Sequence, residues 1–353
     1  MEKVKDVPTV ANVVSFPVAD ERWTVGTSPR LFWPDLLRIV AAFSIVFLHV
    51  AAKRVTMLVH GDPEWWSVVV CRVLPSFAVP VFFMLSGMFL LHPVRTVGTR
   101  KIVRGCGRFL VAFAFWSAFY SLAFPPHRLY LGQFLKGPVH LWFLPALASC
   151  YLAAPALRAI ARDGKAEEAL LAVGFFLLCV TTTLRAMSDS FHRILPTTIT
   201  VLSMPAFLVL LGDYLHRFPP NGIRRRMLLL AGATGLLFTI VATGLLAKDG
   251  RKPDFLLGAG HAPVVLFSAT VFSVFQSAFV REPSSTRQRR VVSEITKSTF
   301  GIYLVHIAFI RVLPAVPGPA ILDIVLRSVA SFAASLAVVA VLRRVPVLRH
   351  VVS

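Results

Sequence analysis

The chain has 353 residues, of which 56% are apolar and only 15% charged, with a formal net charge of +20. At a mean hydropathy of +0.72 there is too little charge to cover a soluble protein of this size, so lipid must be the solvent for much of it. The excess of Lys and Arg does not point to nucleic acid. These residues sit in short stretches between apolar segments, which is how membrane topology is written.

Met1–Arg30 has no basic-then-apolar-then-small order and is not a signal peptide. It reads as a largely disordered cytoplasmic tail, residues 1–30, before a membrane domain over residues 31–345 and a second cytoplasmic tail over 346–353. A bilayer core of roughly 30 Å needs about 20 residues of helix. Runs of suitable length follow at Trp33–Ala52, Val68–Leu91, Phe109–Phe124, Val139–Ile160 and Glu168–Leu184. Five more lie at Thr197–His216, Met227–Ala247, His261–Val280, Thr296–Leu313 and Ala320–Leu342. The fold class is therefore all-α, a polytopic bundle of about ten transmembrane helices. The third run is set to begin late, after the Gly-rich Gly105–Gly107. On the side of the amino terminus, Lys and Arg in the connections outnumber those on the other side by more than two to one. Both termini are expected in the cytoplasm.

The four cysteines, Cys71, Cys106, Cys150 and Cys179, show no CxxC pair or metal-ligand spacing, and Cys106 is expected in a cytoplasmic loop. No HExxH, His/Cys cluster or Gly-rich phosphate loop appears, so neither a metal nor a nucleotide-hydrolysis site is expected.

Ionisable groups inside spans are costly and therefore informative. In the first helix, Arg38 and His49 are eleven residues apart, about three turns, and share a face roughly 16 Å apart along the axis. Asp35 lies one turn before Arg38, near enough to pair with it. A guanidinium at the cytosolic mouth suits a phosphate-bearing donor, and a deep imidazole suits proton transfer. On helix physics alone, Arg38 snorkelling to the interface and His49 bonding between helices are equally open.

At these residues the sequence resembles the integral-membrane acyltransferase-three family, which O-acylates sugars and other acceptors. The family's Asp-x-Leu-Arg opening matches Asp35-Leu36-Leu37-Arg38, and its Arg, ten residues, His matches Arg38 to His49. Val79–Gly87, ending in Ser86-Gly87, is similar to its second-helix pattern. His140-Leu-Trp142-Phe-Leu144, with Tyr151 and Pro155, is similar to its fourth, and Ser298–His306 to the stretch opening its penultimate helix. One departure is that the family's basic pair before the third helix is followed by proline. Here Arg100-Lys101-Ile-Val-Arg104 is followed by Gly105, Gly107 and Arg108.

The resemblance implies acyl transfer, most often acetyl, from cytoplasmic acyl-CoA to a hydroxyl of a cell-surface glycan or lipid-linked sugar. It places the protein in a bacterial-type cytoplasmic (inner) membrane. His49 is then the general base, and Arg38, Asp35, Arg100, Lys101 and Arg104 the donor-binding set, although the three basic residues of the loop also serve as a positive-inside anchor. His140, Trp142, Tyr151, Tyr303, His306 and Ser86 are the candidate substrate-pocket residues. For Trp142 the alternative is an interfacial belt, for Tyr303 and His306 helix packing, and for Ser86 close helix packing with Gly87. His140 and Tyr151, eleven apart, are expected on one face. No permanently bound cofactor is expected; acetyl-CoA or another acyl-CoA is the donor. With no hydrolase-like extracytoplasmic domain after the tenth helix, the chain is expected to act alone, as an oligomer or with a separate partner. The competing class is a secondary transporter or flippase with Arg38 and His49 in its path. The sequence shows no internal repeat to support it.

Overall fold

The computed structural model describes residues 31–92, 98–124, 138–187, 202–247, 254–279, 285–346 and 348–352, with the side chains of Lys101 and Val139 outside the description. Residues 1–30, read above as a tail, fall outside it. Among the described residues every regular element is helical and there is no strand. The elements in order are α1 (Phe32–Val55), then α2 (Trp65–Val73), which passes through a 3₁₀ turn (Leu74–Phe77) into α3 (Ala78–Leu90), then α4 (Thr99–Ala123). A 3₁₀ turn (Val139–Trp142) leads into α5 (Phe143–Arg162). Next, α6 (Gly164–Gly174) continues through a π turn (Phe175–Val180) into α7 (Thr181–Met187). The remainder are α8 (Met204–Arg217), α9 (Gly222–Leu246), α10 (Ala262–Ala278), α11 (Thr286–Val312), α12 (Ala320–Leu342) and the short α13 (Arg349–Val352).

Eight of these segments are long and apolar enough to cross a bilayer. The sixth and eighth expected spans form shorter helices, α8 with 14 residues and α10 with 17. Phe207, Leu208, Val209 and Leu210 of α8 are all buried, and α3, α5, α6 and α10 wall it in. Its ends therefore lie against protein, which relaxes the length a lipid-facing helix would need. Outward faces carry large exposed apolar residues, among them Leu110, Val111 and Leu122 on α4, Leu230 and Leu237 on α9, and Ile321 and Val329 on α12. Such a surface is stable only in lipid.

The helices alternate in direction. At one end Arg158 donates to the carbonyls of Leu90 and His92, Thr296 Oγ1 to the carbonyl of Asp35, and Gln276 to that of His216. At the other end Trp65 donates to the Gly244 carbonyl and the Ala320 N–H to Glu64 Oε1. Helix α1 runs through the middle, in contact with α2, α3, α10, α11 and α12.

Two expected boundaries move. Helix α4 begins at Thr99 rather than Phe109, because Gly105 does not break it but brings it against α5. A Cβ at Gly105 would lie 2.6 Å from the Tyr151 ring. Cys106 is therefore a buried helical residue, not part of a loop. The fifth span is longer than expected, Gly164–Met187, because the Asp163 side chain caps α6 by accepting from the N–H groups of Lys165 and Ala166. Buried Glu167 in the first turn is paired with Arg217, which lets a charged turn enter the bundle. Pro75 sits in the first positions of the 3₁₀ turn between α2 and α3, where proline has no N–H to offer.

In a bilayer, helix association depends on van der Waals packing more than on the hydrophobic effect, so close backbone approach matters. Helices α3 and α8 achieve it through two glycines. A Cβ at Gly87 would meet the Val209 carbonyl oxygen at 1.9 Å, and one at Gly212 the Met84 backbone at 2.1 Å. Residues 349–352 also pack into the bundle. Trp116 Nε1 donates to the Val351 carbonyl at 2.9 Å, and Val351 and Val352 are buried between α4 and α11.

Candidate functional site

Helix α1 is uninterrupted, so the spacing of Arg38 and His49 is preserved in space as three turns along one face. Near its start, Arg38 lies 3.9 Å from Asp35 and stacks its guanidinium over Phe89 of α3, 4.6 Å from the ring centre. That stacking holds an arginine at the bundle end with much of its stem covered. His49 is half-buried in the body of the bundle.

Three helical elements bring imidazoles together around His49. The His306 ring of α11 is 5.2 Å from it, and the His140 ring, from the 3₁₀ turn before α5, is 5.7 Å from that of His306. The Tyr303 hydroxyl donates to the His140 carbonyl, and its ring packs 5.5 Å from Phe143. Tyr120 of α4 stands edge-on to His140 at 4.9 Å and donates its hydroxyl to the Leu304 carbonyl at 2.8 Å. His306 and His140 are buried, while His49 keeps accessible surface.

The orientation of His306 is fixed by its own helix. Nδ1 faces the carbonyls of Tyr303 at 2.7 Å and Ile302 at 3.2 Å, which assigns the proton to Nδ1 and leaves Nε2 with a lone pair. Nε2 of His306 and Nε2 of His140 are both buried without a hydrogen-bond partner among the described residues. Buried polar atoms are rarely left so, and an arrangement of bases with free lone pairs suits proton transfer from a bound hydroxyl. Among the described residues no group of three or more His, Cys, Asp or Glu is placed to hold a metal ion.

Of the sequence-derived candidates, the structure thus joins His49, His140, Tyr303 and His306. Trp142 stands at the edge, 44% exposed, with its ring 6.0 Å from Phe83. Tyr151 is turned to α4, against Gly105 and 5.3 Å from Phe109, rather than to the histidines. The shared face expected for His140 and Tyr151 assumed one α-helix, whereas His140 belongs to a 3₁₀ turn of different pitch. Ser86 donates to the carbonyl of Phe82 at 2.7 Å, a bond within α3, beside the Gly87 contact. Arg100 and Arg104 border an open depression at the start of α4 with Thr99 and Val103, about 24 Å along that helix from Tyr120. Lys101 lies in the same first turns, its side chain outside the described residues.

Sequence reasoning passed over Arg72. It is buried in α2, with Nη2 2.8 Å and Nε 2.9 Å from Asp254 Oδ1. Its signal was a charge inside an apolar run.

The apolar helical bundle defines an integral membrane protein, with a cluster of imidazoles enclosed within it. A family model described as an acyltransferase domain matches residues 31–344, nearly the whole chain, and the protein belongs to that acyltransferase-three family. No curated protein and no solved structure matches the chain.

Proposed function

We propose that the protein is a membrane O-acyltransferase that moves an acyl group, acetyl in the simplest case, from cytoplasmic acyl-CoA to a hydroxyl of a glycan or lipid-linked sugar. The observation that carries this reading is the convergence of His49, His306 and His140 from three elements of an acyltransferase-family chain. The charge bias of the connections supports a cytoplasmic Arg38 end, and the membrane in this reading is a bacterial-type inner membrane. Arg38, oriented by Asp35 and Phe89, meets the donor's phosphates there, with Arg100, Lys101 and Arg104 adding positive potential at the same end.

In the reaction His49 removes the proton from the acceptor hydroxyl as its oxygen attacks the thioester carbonyl. The tetrahedral adduct collapses, the carbon–sulfur bond breaks, and the CoA thiolate leaves and takes the proton from the imidazolium. His306, with Nδ1 committed to its helix, offers Nε2 as the neighbouring base that shares the proton. The roughly 16 Å between Arg38 and His49 is a span the pantetheine arm of the donor bridges from mouth to site.

The test is thiol release and acyl transfer by the purified protein in proteoliposomes with acetyl-CoA and lipid-linked sugars. Acceptor-dependent release of CoA thiol supports the reading. A protein that binds no acyl-CoA and releases no thiol, yet moves a solute across the vesicle membrane, ends it in favour of a transporter.

A further inference from the structure

Arg72 has a hydrogen-bonding capacity that its ion pair does not use. Only 8% of its side chain is exposed, and Nε and Nη2 both point at one carboxylate oxygen of Asp254, itself 55% exposed in the segment before α10. Nη1 is buried with no hydrogen-bond partner among the described residues. A tether to Asp254 needs only the first two nitrogens. Leaving the third desolvated and unpaired is costly, and evolution ordinarily avoids it away from function.

The surroundings of Arg72 are those of the histidines. The adjacent α2 residues Val69 and Val73 belong to one buried cluster with Val46 and Val50, which flank His49 on α1, and with Ile302 and Ile310 around His306 on α11. Helix α2, which carries Arg72, packs directly against α1, which carries His49. A desolvated cation with an idle N–H edge, on a helix packed against that of the base, is suited to stabilise negative charge appearing on a carbonyl oxygen.

We propose that Nη1 of Arg72 donates to the thioester carbonyl oxygen as it becomes an oxyanion, making Arg72 a catalytic residue. The inference rests on the acyl-transfer reading above. As the acceptor oxygen bonds to the carbonyl carbon and its proton passes to His49, the carbonyl π pair moves onto oxygen and is held by Arg72. When the pair returns to re-form the carbonyl, the carbon–sulfur bond breaks and the thiolate departs. Asp254 fixes the guanidinium from its other edge and keeps the pair neutral before the donor arrives.

The experiment compares CoA thiol release from acetyl-CoA and from its dithioester analogue, with octyl glucoside as the acceptor probe, in wild type, Arg72→Gln, Arg72→Lys and Asp254→Asn. A thiocarbonyl sulfur accepts hydrogen bonds poorly, so wild type should favour acetyl-CoA, with its carbonyl oxygen, over the dithioester beyond their difference in chemical reactivity. Arg72→Gln should lower kcat with acetyl-CoA by roughly 100-fold, change donor KM little, and erase that preference. Arg72→Lys should recover part of both, and Asp254→Asn should keep the preference. If Arg72→Gln and Asp254→Asn lose activity equally and both retain the preference, Arg72 is only a tether and the proposal is overturned. A wild type that releases no thiol from acetyl-CoA removes the acyl-transfer reading itself, and this proposal with it.

Discussion

The imidazole of His306 stands 5.2 Å from that of His49, and the two rings reach each other from helices at opposite ends of the sequence. One ring is anchored through Nδ1 to its own helix and buried, and the other keeps accessible surface. In the proposed acyl transfer the half-buried ring meets substrate and the buried ring assists it.

His306→Ala should therefore slow acyl transfer, by roughly 10²-fold, the lower end for loss of a proton-transferring group. Because the ring also packs against His140 and Tyr303, His306→Gln serves as the control that preserves volume. Thiol-release rates set beside thermal unfolding in detergent check this. Equal loss of rate in both variants with unchanged melting supports a chemical role, whereas full activity in His306→Gln contradicts it.

Arg38→Ala should raise the KM for acyl-CoA by roughly tenfold, the equivalent of about 1.4 kcal/mol, with a smaller change in kcat. Phe89→Leu, which removes the ring beneath the guanidinium, should have the same sign and a weaker effect, since such stacking contributes about 0.5–2 kcal/mol. Steady-state kinetics over donor concentration separate the two constants. An Arg38→Ala variant with unchanged KM would leave Arg38 as a topological anchor.

How far the sequence disclosed this site depends on the range of the interaction. Arg38 and His49 were legible because one unbroken helix converts spacing into geometry. His140 and His306 could be placed near His49 only by family resemblance, since no local pattern encodes which helices of a bundle meet. Gly105 was misread as a break because its local preference opposes helix, while its packing against Tyr151 requires one. Tyr151 itself points elsewhere because a 3₁₀ turn resets the helical phase. Arg72 was visible as a charge in an apolar run, yet its meaning depends on Asp254, far along the chain in a connecting segment.

Gly212→Val should destabilise the bundle severely, since its Cβ would lie 2.1 Å from the Met84 carbonyl oxygen and neither backbone can yield without parting α3 from α8. Overpacking of this kind costs about 1–3 kcal/mol or more. A lower and broader melting transition in detergent is the expected result. An unchanged transition would contradict the described α3–α8 packing.

Glu167, Asp213 and Arg217 form a buried ionic cluster that joins α6 to α8. Removing Arg217 alone, as Arg217→Met, strands two buried carboxylates and should cost about 3–5 kcal/mol. Adding Glu167→Gln and Asp213→Asn to that variant should recover much of the loss. Thermal stability of the single and triple variants decides it, and a triple variant less stable than the single would refute the explanation.

Orientation has its own test. In a background with the four native cysteines replaced, His60→Cys should react with an impermeant maleimide added to intact cells, and Gln288→Cys only after the membrane is opened. The reverse pattern would invert the donor side.

The most direct test of the central claim, that His49 is the base of an acyl transfer, is chemical rescue. Purified His49→Ala should release CoA thiol from acetyl-CoA at a rate reduced by roughly 10²–10⁴-fold, and added imidazole should restore a substantial part of it in a saturable manner. A His49→Ala protein that retains the wild-type rate without imidazole would contradict the account.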